Sequence, residues 1–242
     1  NFHGDVRELL ARLLHAASNG AAFVDVDLSA AAIIPAFREA HPGIGLILSY
    51  HHRGSRLPDV ARLYRRMREV DADILKFAYM ASDAADIALA REFLKYAHRD
   101  KRKALAIAMG EFGEASRVLY RRFGSWATYA APKGGPNAAP GQIPAKLLDR
   151  LYRVRRMNSS TKIFGVIGNP LTQSKGIFLH NPLFKMYGVN AVYCRFPVVD
   201  VAAFMERRIG FLDIAGVVGH VLETCPGSDE ATLDAIWAAD HE

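Results

Sequence analysis

Short apolar runs alternate with stretches of helical periodicity along most of the chain. The runs occupy residues 23–28 (FVDVDL), 44–50 (IGLILSY), 74–80 (ILKFAYM), 104–109 (ALAIAM) and 126–131 (WATYAA). Each has strand length, and two are the continuous apolar runs that parallel sheets bury on both faces. Between them the period changes. Residues 5–19 place Val6, Leu9, Leu10, Leu13 and Leu14 on one helical stripe, and Gly20 can end that helix. A second helix is expected over 59–70, after Pro58. A third is expected over 84–96. Ser82 followed by Ala85 falls short of a capping box there, which leaves Ser82 and Asp83 as single caps. A helix followed by strand–helix alternation predicts a parallel sheet with crossover helices.

The pattern breaks around residues 150–160, where RVRRMNSS is basic and then small and polar, as at a domain boundary. A second alternation follows. Strands are expected at 162–167 (KIFGVI) and 191–196, helices at 178–187 and 201–208, and a further apolar run at 214–218. This predicts a smaller α/β unit of about 80 residues, within the ordinary size range of a small domain.

Composition narrows the partners. The chain has 242 residues, half of them hydrophobic, enough for one large domain or two small ones. Its net charge of +6 suits a small anionic substrate. The basic stretches Arg99, Lys101, Arg102, Lys103 and Arg150, Arg153, Arg155, Arg156 are not interleaved with aromatics. They read as solvated faces, and no nucleic-acid partner is expected. Cys194 and Cys225 form neither a CxxC pair nor a disulfide framework, which fits a reducing compartment. No apolar run reaches the roughly 18–20 residues that span a bilayer, so no membrane partner is expected. The chain opens on Asn1 and not Met, so the lack of a leading signal peptide carries no weight.

Candidate chemistry gathers in the strands. Lys76 interrupts a hydrophobic strand, where a cation is costly unless it is used or snorkels out. A lysine with a depressed pKa can attack a ketone and form an imine. His51 follows the 44–50 strand, at the end where active-site groups of β/α barrels project. It is placed to meet Lys76 and to shuttle protons, with His52 as a rival. Asp25 and Asp27 share a strand face, and either can orient the histidine or end the strand in solvent. The loop 110–117 (GEFGEASR) ends in Arg117, a candidate clamp for a carboxylate. The loop 132–142 (PKGGPNAAPGQ) is rich in turn formers and suits a lid, with Gln142 able to bond a hydroxylated substrate.

Together LSYH (48–51), DADILKFAYM (71–80), AIAMGEFGEASR (106–117) and AAPGQ (138–142) resemble type I 3-dehydroquinate dehydratase, over residues 1–155. The resemblance implies a β/α barrel that dehydrates 3-dehydroquinate to 3-dehydroshikimate without metal or organic cofactor. It implies Lys76 as the Schiff-base lysine and His51 as the catalytic histidine. It also implies Arg117 as the carboxylate ligand and Gln142 as the lid glutamine. Met109 and Tyr129 would line the pocket, and Asp25 would be a strand aspartate near the site. Asp27 stands where glutamate is common, and Ala138, beside Asn137, replaces the lid serine. Only the last five of eight barrel strands are expected. The missing ones would carry a glutamate, two arginines and the histidine's carboxylate partner, so the 242-residue chain is expected to fold poorly and to turn over slowly.

Residues 162–196 resemble the start of shikimate dehydrogenase through GNP-x-x-x-SK, HN and NAVY. The domain order is similar to the bifunctional dehydratase–shikimate dehydrogenases of plants. Ser174 would be one of two serines gripping the carboxylate of shikimate or quinate. Gly176 takes the place of the second, which implies either a quinate preference or drift. No lysine follows Lys185, and no G-x-G-x-x-G fingerprint is present. NADP would act only if a nucleotide-binding domain completes the protein.

The expected fold is therefore an α/β chain. An incomplete TIM-type barrel (1–155) precedes a truncated, divergent shikimate-dehydrogenase substrate-binding domain (161–242). The expected function is a lyase within a bifunctional shikimate-pathway protein. The alternatives are an NADP-dependent shikimate or quinate dehydrogenase and a degenerate binding or regulatory relative. A plant or algal source would imply the chloroplast and any other source the cytoplasm. The sequence leaves the oligomeric state open.

Overall fold

The alternating residues of the apolar runs become the two faces of a parallel sheet. The computed structural model describes residues 5–52, 54, 56–132 and 139–200. The helix expected at 201–208, the run at 214–218, Cys225, Asn137 and Ala138 lie outside these residues.

Helix α1 (Val6–Ser18) is capped by Asp5, whose side chain accepts from the Arg7 N–H. Its Leu9, Leu10, Leu13 and Leu14 pack on the core. Strand β1 (Phe23–Asp27) follows, then a 3-10 segment and α2 (Ile34–Ala40). Next come β2 (Gly45–His52), α3 (Val60–Arg68), β3 (Ile74–Met80), α4 (Ile87–Arg99) and β4 (Lys103–Met109). The strands pair in sequence order, β1-β2-β3-β4, all parallel. Val24, Val26, Leu46, Leu48, Leu75, Phe77, Tyr79, Ala104, Ala106 and Ala108 join the large core shared with the helices. The opposite face carries small apolar clusters, Ile47–Ile74–Leu105 and Ala78–Ile107–Met109. Among these sit Asp25, Asp27, Ser49, His51 and Lys76, on the same face by the two-residue period.

Two expectations need correction. The run 126–131 is not a fifth strand. Trp126 donates to the Ala104 carbonyl (2.8 Å), but Ala131 makes only an isolated bridge to Pro144. Side chains take carbonyls that a ladder would use: Ser125 Oγ donates to Ala127 O and Arg117 Nη1 to Tyr129 O. Pro132 and Pro144 also lack the N–H that pairing requires. The loop 110–117 contains a short helix, α5 (Glu114–Val118), whose Ala115 and Val118 are core residues. The third helix is capped by Asp83 as expected, and Asp83 forms a capping box with Asp86 around a 3-10 turn (Ala84–Asp86). Asp86 Oδ2 also accepts from the N–H and hydroxyl of Ser82.

After α6 (Ala145–Arg150) and a second 3-10 turn (Val154–Arg156), a two-stranded parallel sheet forms from β5 (Lys162–Gly168) and β6 (Ala191–Pro197). Helix α7 (Gly176–Met186) crosses between them and is tied down by buried Asn181. That side chain donates to Ile177 O and Tyr193 O and accepts from the Tyr193 N–H. The stretch between the two sheets is packed: Tyr152, Val154, Met157 and Thr161 are buried. Polar contacts also join the sheets. Arg195 pairs with Glu114 (3.2 Å), which also accepts from the Tyr152 hydroxyl. Arg122 donates to Thr161 O, and the Val199 N–H to Asp83.

Candidate active site

The polar face of the first sheet is built by register. Asp27, Ser49, Lys76 and Leu105 lie in one row across β1–β4, and Asp25 sits one pleat earlier on β1. Lys76 leans back across that pleat. Its Nζ meets Asp25 Oδ2 at 2.7 Å, and its side chain is only 11% exposed. The same nitrogen lies over the Tyr129 ring, 4.8 Å from the centroid. A half-buried ammonium held by one carboxylate and one aromatic face is restricted in direction, as a nucleophile must be.

His51 lies inside β2, not after it, one pleat beyond Ser49 on the same face. Its Nδ1 is 3.6 Å from Asp27 Oδ2. Of the two aspartates, Asp27 therefore faces the histidine and Asp25 the lysine. His51 and Lys76 share this face on neighbouring strands, one pleat apart, each facing its own aspartate. Asp27 is itself fixed: the Ser29 N–H (3.0 Å) and hydroxyl (2.7 Å) both donate to its Oδ1. Partial burial raises the Asp27 pKa, but the Ser29 bonds and His51 outweigh it, leaving the carboxyl below its ordinary value. His52 faces elsewhere, with Nε2 2.7 Å from Arg56 O.

Arg117 is the largest fully buried side chain among the described residues. Its Nη1 donates to Tyr129 O (3.3 Å) and its Nη2 to Pro140 O (3.2 Å), while its buried Nε has no partner. Burial pushes its pKa down to about 10, so it stays a cation at neutral pH. Tyr129 thus joins the lysine and the arginine, through its ring to one and its carbonyl to the other. Ser116 anchors the base of this arrangement, its buried hydroxyl bridging the Ala108 N–H (3.0 Å) and carbonyl (3.2 Å). The end of the 132–142 loop rests on the β4 loop. The Pro140 carbonyl accepts from the Gly110 N–H as well as from Arg117. Gly141, at φ +71°, lies so close to the Gly110 carbonyl that a Cβ would overlap it. Gln142 is half-buried beside it, and Met109 is buried on the polar face with Ala78 and Ile107.

Ser174 stands apart. It belongs to the β5–α7 loop, its N–H bonded to Leu171 O, and no contact among the described residues joins it to the Lys76 cluster. Gly176 is closely packed. A Cβ there would come within 2.8 Å of the Tyr193 ring, which also stacks on His180. Residue-level reading passed over Ser29, Ser116 and Glu114. Asp27-x-Ser29 is a local capping pattern visible in sequence. The Ser116 and Glu114 contacts depend on tertiary packing. No group of three or more His, Cys, Asp or Glu among the described residues could hold a metal ion. No helix among them is long and apolar enough to cross a membrane.

The family model for type I 3-dehydroquinase matches residues 1–159. The chain belongs to the type I 3-dehydroquinase family. Among relatives of the chain, the bifunctional 3-dehydroquinate dehydratase/shikimate dehydrogenase of Arabidopsis thaliana is 32% identical over 209 residues. That alignment covers 85% of the chain and 34% of the relative. The 3-dehydroquinate dehydratase of Desulfotalea psychrophila is 33% identical over 153 residues, covering 59% of the chain and 65% of the relative. The crystal structure of 3-dehydroquinate dehydratase from Geobacillus kaustophilus superposes with a TM-score of 0.56 at 25% identity. The match covers 62% of this chain and 60% of that one. The chain thus spans about a third of the length of the bifunctional relative.

Proposed function

We propose that the protein dehydrates 3-dehydroquinate to 3-dehydroshikimate through an imine on Lys76. The observation that carries this reading is the half-buried Lys76 amine held between Asp25 and the Tyr129 ring, on the polar face of a sheet in a chain of this family. The amine attacks the C3 ketone once its proton passes to Asp25 or water, and loss of water leaves an iminium. The iminium draws electron density and acidifies the C2 proton. His51 removes that proton, with Asp27 facing Nδ1 and leaving Nε2 for the substrate. The resulting enamine expels the C1 hydroxyl, which takes the proton back from the imidazolium. Water then hydrolyses the imine, releasing product and restoring Lys76. Arg117 supplies the cation for the substrate carboxylate, and its unpartnered Nε is a donor such a ligand satisfies.

The four-stranded sheet reads as a sector of the family's barrel, with remaining strands needed to close it. The second sheet reads as the opening of a shikimate-dehydrogenase substrate domain. The Arabidopsis alignment, at 209 residues, is longer than the 159-residue family match and reaches into it. Among the described residues, the β5–α7 turn does not fit NADP. Strand β5 ends at Gly168 and runs into Asn169–Pro170, and the next helix starts only at Gly176. A dinucleotide site needs the strand to turn directly into a helix N-terminus. Tyr193 against Gly176 gives that glycine a packing role beside the quinate or drift readings.

The test is the ultraviolet absorbance of the conjugated enone formed from 3-dehydroquinate. The protein is expected to generate it and a Lys76→Met variant to fall to background. Binding of 3-dehydroquinate with no enone formed by the unmodified protein would overturn the lyase assignment in favour of a non-catalytic relative.

A further inference from the structure

We infer that the turn linking the two sheets is a binding site for a compact polyphosphate, separate from the dehydratase site. A cavity of about 560 Å³ opens there, lined by Asp149, Arg150, Arg153, Arg155, Arg156 and Lys185. Its volume falls inside the range of small-molecule sites. Among the described residues, five cations face a single carboxylate. Asp149 is engaged with Arg155 at 3.4 Å. Arg150, Arg153, Arg156 and Lys185 have no carboxylate partner among the described residues.

The convergence is imposed by the core. Leu148, Tyr152, Val154 and Met157 are all buried, and they alternate with the arginines along the turn. With these anchors inside, the intervening side chains are left on the solvent side of one short turn, around the cavity. Arg153 is held in a left-handed conformation, φ 54° and ψ 39°, which L residues rarely adopt. Lys185 reaches the same cavity from the last turn of α7. Helix dipoles account for a cation at Arg150 and at Lys185, near the ends of α6 and α7. They do not account for Arg153, Arg155 and Arg156, which lie beyond α6.

Like charges gathered this closely repel one another, and a multivalent anion relieves all of them together. Guanidinium groups grip phosphate oxygens in pairs, so four of them suit adjacent phosphates better than a lone carboxylate. Among the described residues the cavity has no aromatic lining on which a nucleobase or nucleic-acid strand could stack. The polyphosphate can be inorganic or carried on a nucleoside, since both present the same groups to the turn.

Isothermal titration of the full chain at fixed ionic strength tests this, with tripolyphosphate, ATP and AMP as separate ligands. The expected result is one site for tripolyphosphate and for ATP, with AMP at least tenfold weaker. Tighter binding of ATP than of tripolyphosphate would identify a nucleotide; equal binding would identify the phosphates alone. Arg153→Gln with Arg156→Gln should weaken tripolyphosphate at least tenfold. Arg156→Gln with Lys185→Gln, both exposed positions, should do the same if the first pair disturbs the turn. Arg65→Gln with Arg66→Gln on α3, and Lys76→Met, should leave binding unchanged, which keeps this site independent of the lyase assignment. No binding of tripolyphosphate, an equal loss in the α3 variant, or tighter binding of a single-stranded oligonucleotide would overturn the inference.

Discussion

The two faces of the four-stranded sheet are made by alternate residues of the same strands, yet they carry different information. The helix-side face is apolar throughout, from Val24 and Val26 to Ala104, Ala106 and Ala108. It states how the chain folds and little else. The other face mixes Ile47, Ile74, Leu105 and Ile107 with Asp25, Asp27, Ser49, His51 and Lys76. Charges in that position destabilise a purely structural sheet, so their pairing is the sign of a site. The lesson is that the strand identifies the fold while the pleat identifies the chemistry.

The contrast can be broken by mutation on either side. On the structural face, Phe77 is fully buried and packs against Tyr79 and Phe93. Phe77→Ala is expected to cost about 3–5 kcal/mol in chemical denaturation, a large part of a domain's stability. A loss below about 1 kcal/mol would mean that this face is not close-packed. On the chemical face, Arg117→Lys keeps the charge but loses the fork that reaches Tyr129 O and Pro140 O. Substrate KM should rise roughly 10- to 100-fold, the worth of about one or two charge-assisted bonds. An unchanged KM would remove Arg117 from carboxylate binding.

The smallest effect concerns acid. The native Asp27 carboxyl sits below its ordinary value, so its contribution is present above about pH 4 and is lost as pH falls through the native pKa. Asp27→Asn keeps the cap onto Ser29 but removes the charge. Unfolding profiles of the two proteins should differ at neutral pH and converge in acid. A difference that persisted unchanged below pH 3, the acid side of a normal carboxyl, would assign the effect to packing and not to charge.

How far the sequence could be read follows the same division. Strand β3 emerged with the bounds 74–80, and β1, β2 and β4 within two residues, because buried parallel strands are short, dense apolar runs. Residues 126–131 look the same locally. Their carbonyls are instead taken by Ser125 and Arg117, and no local pattern reveals that. Lys76 stood out as a cation in an apolar strand. Which aspartate it meets depends on register, and register is set across strands and not along one. The cap at Asp83 was legible in sequence, while its reciprocal bond from Asp86 runs through a 3-10 turn that helical spacing does not show. The tightness at Gly176 depends on Tyr193, seventeen positions away and brought back by α7. The Arg150–Arg156 cluster read as solvated surface until the buried anchors between its members placed it around one cavity.

The most direct measurement is borohydride reduction of the protein in the presence of 3-dehydroquinate, followed by peptide mass mapping. The account predicts one adduct, located on Lys76 and abolished by Lys76→Met. An adduct on another lysine, or none while the enone still forms, would contradict it.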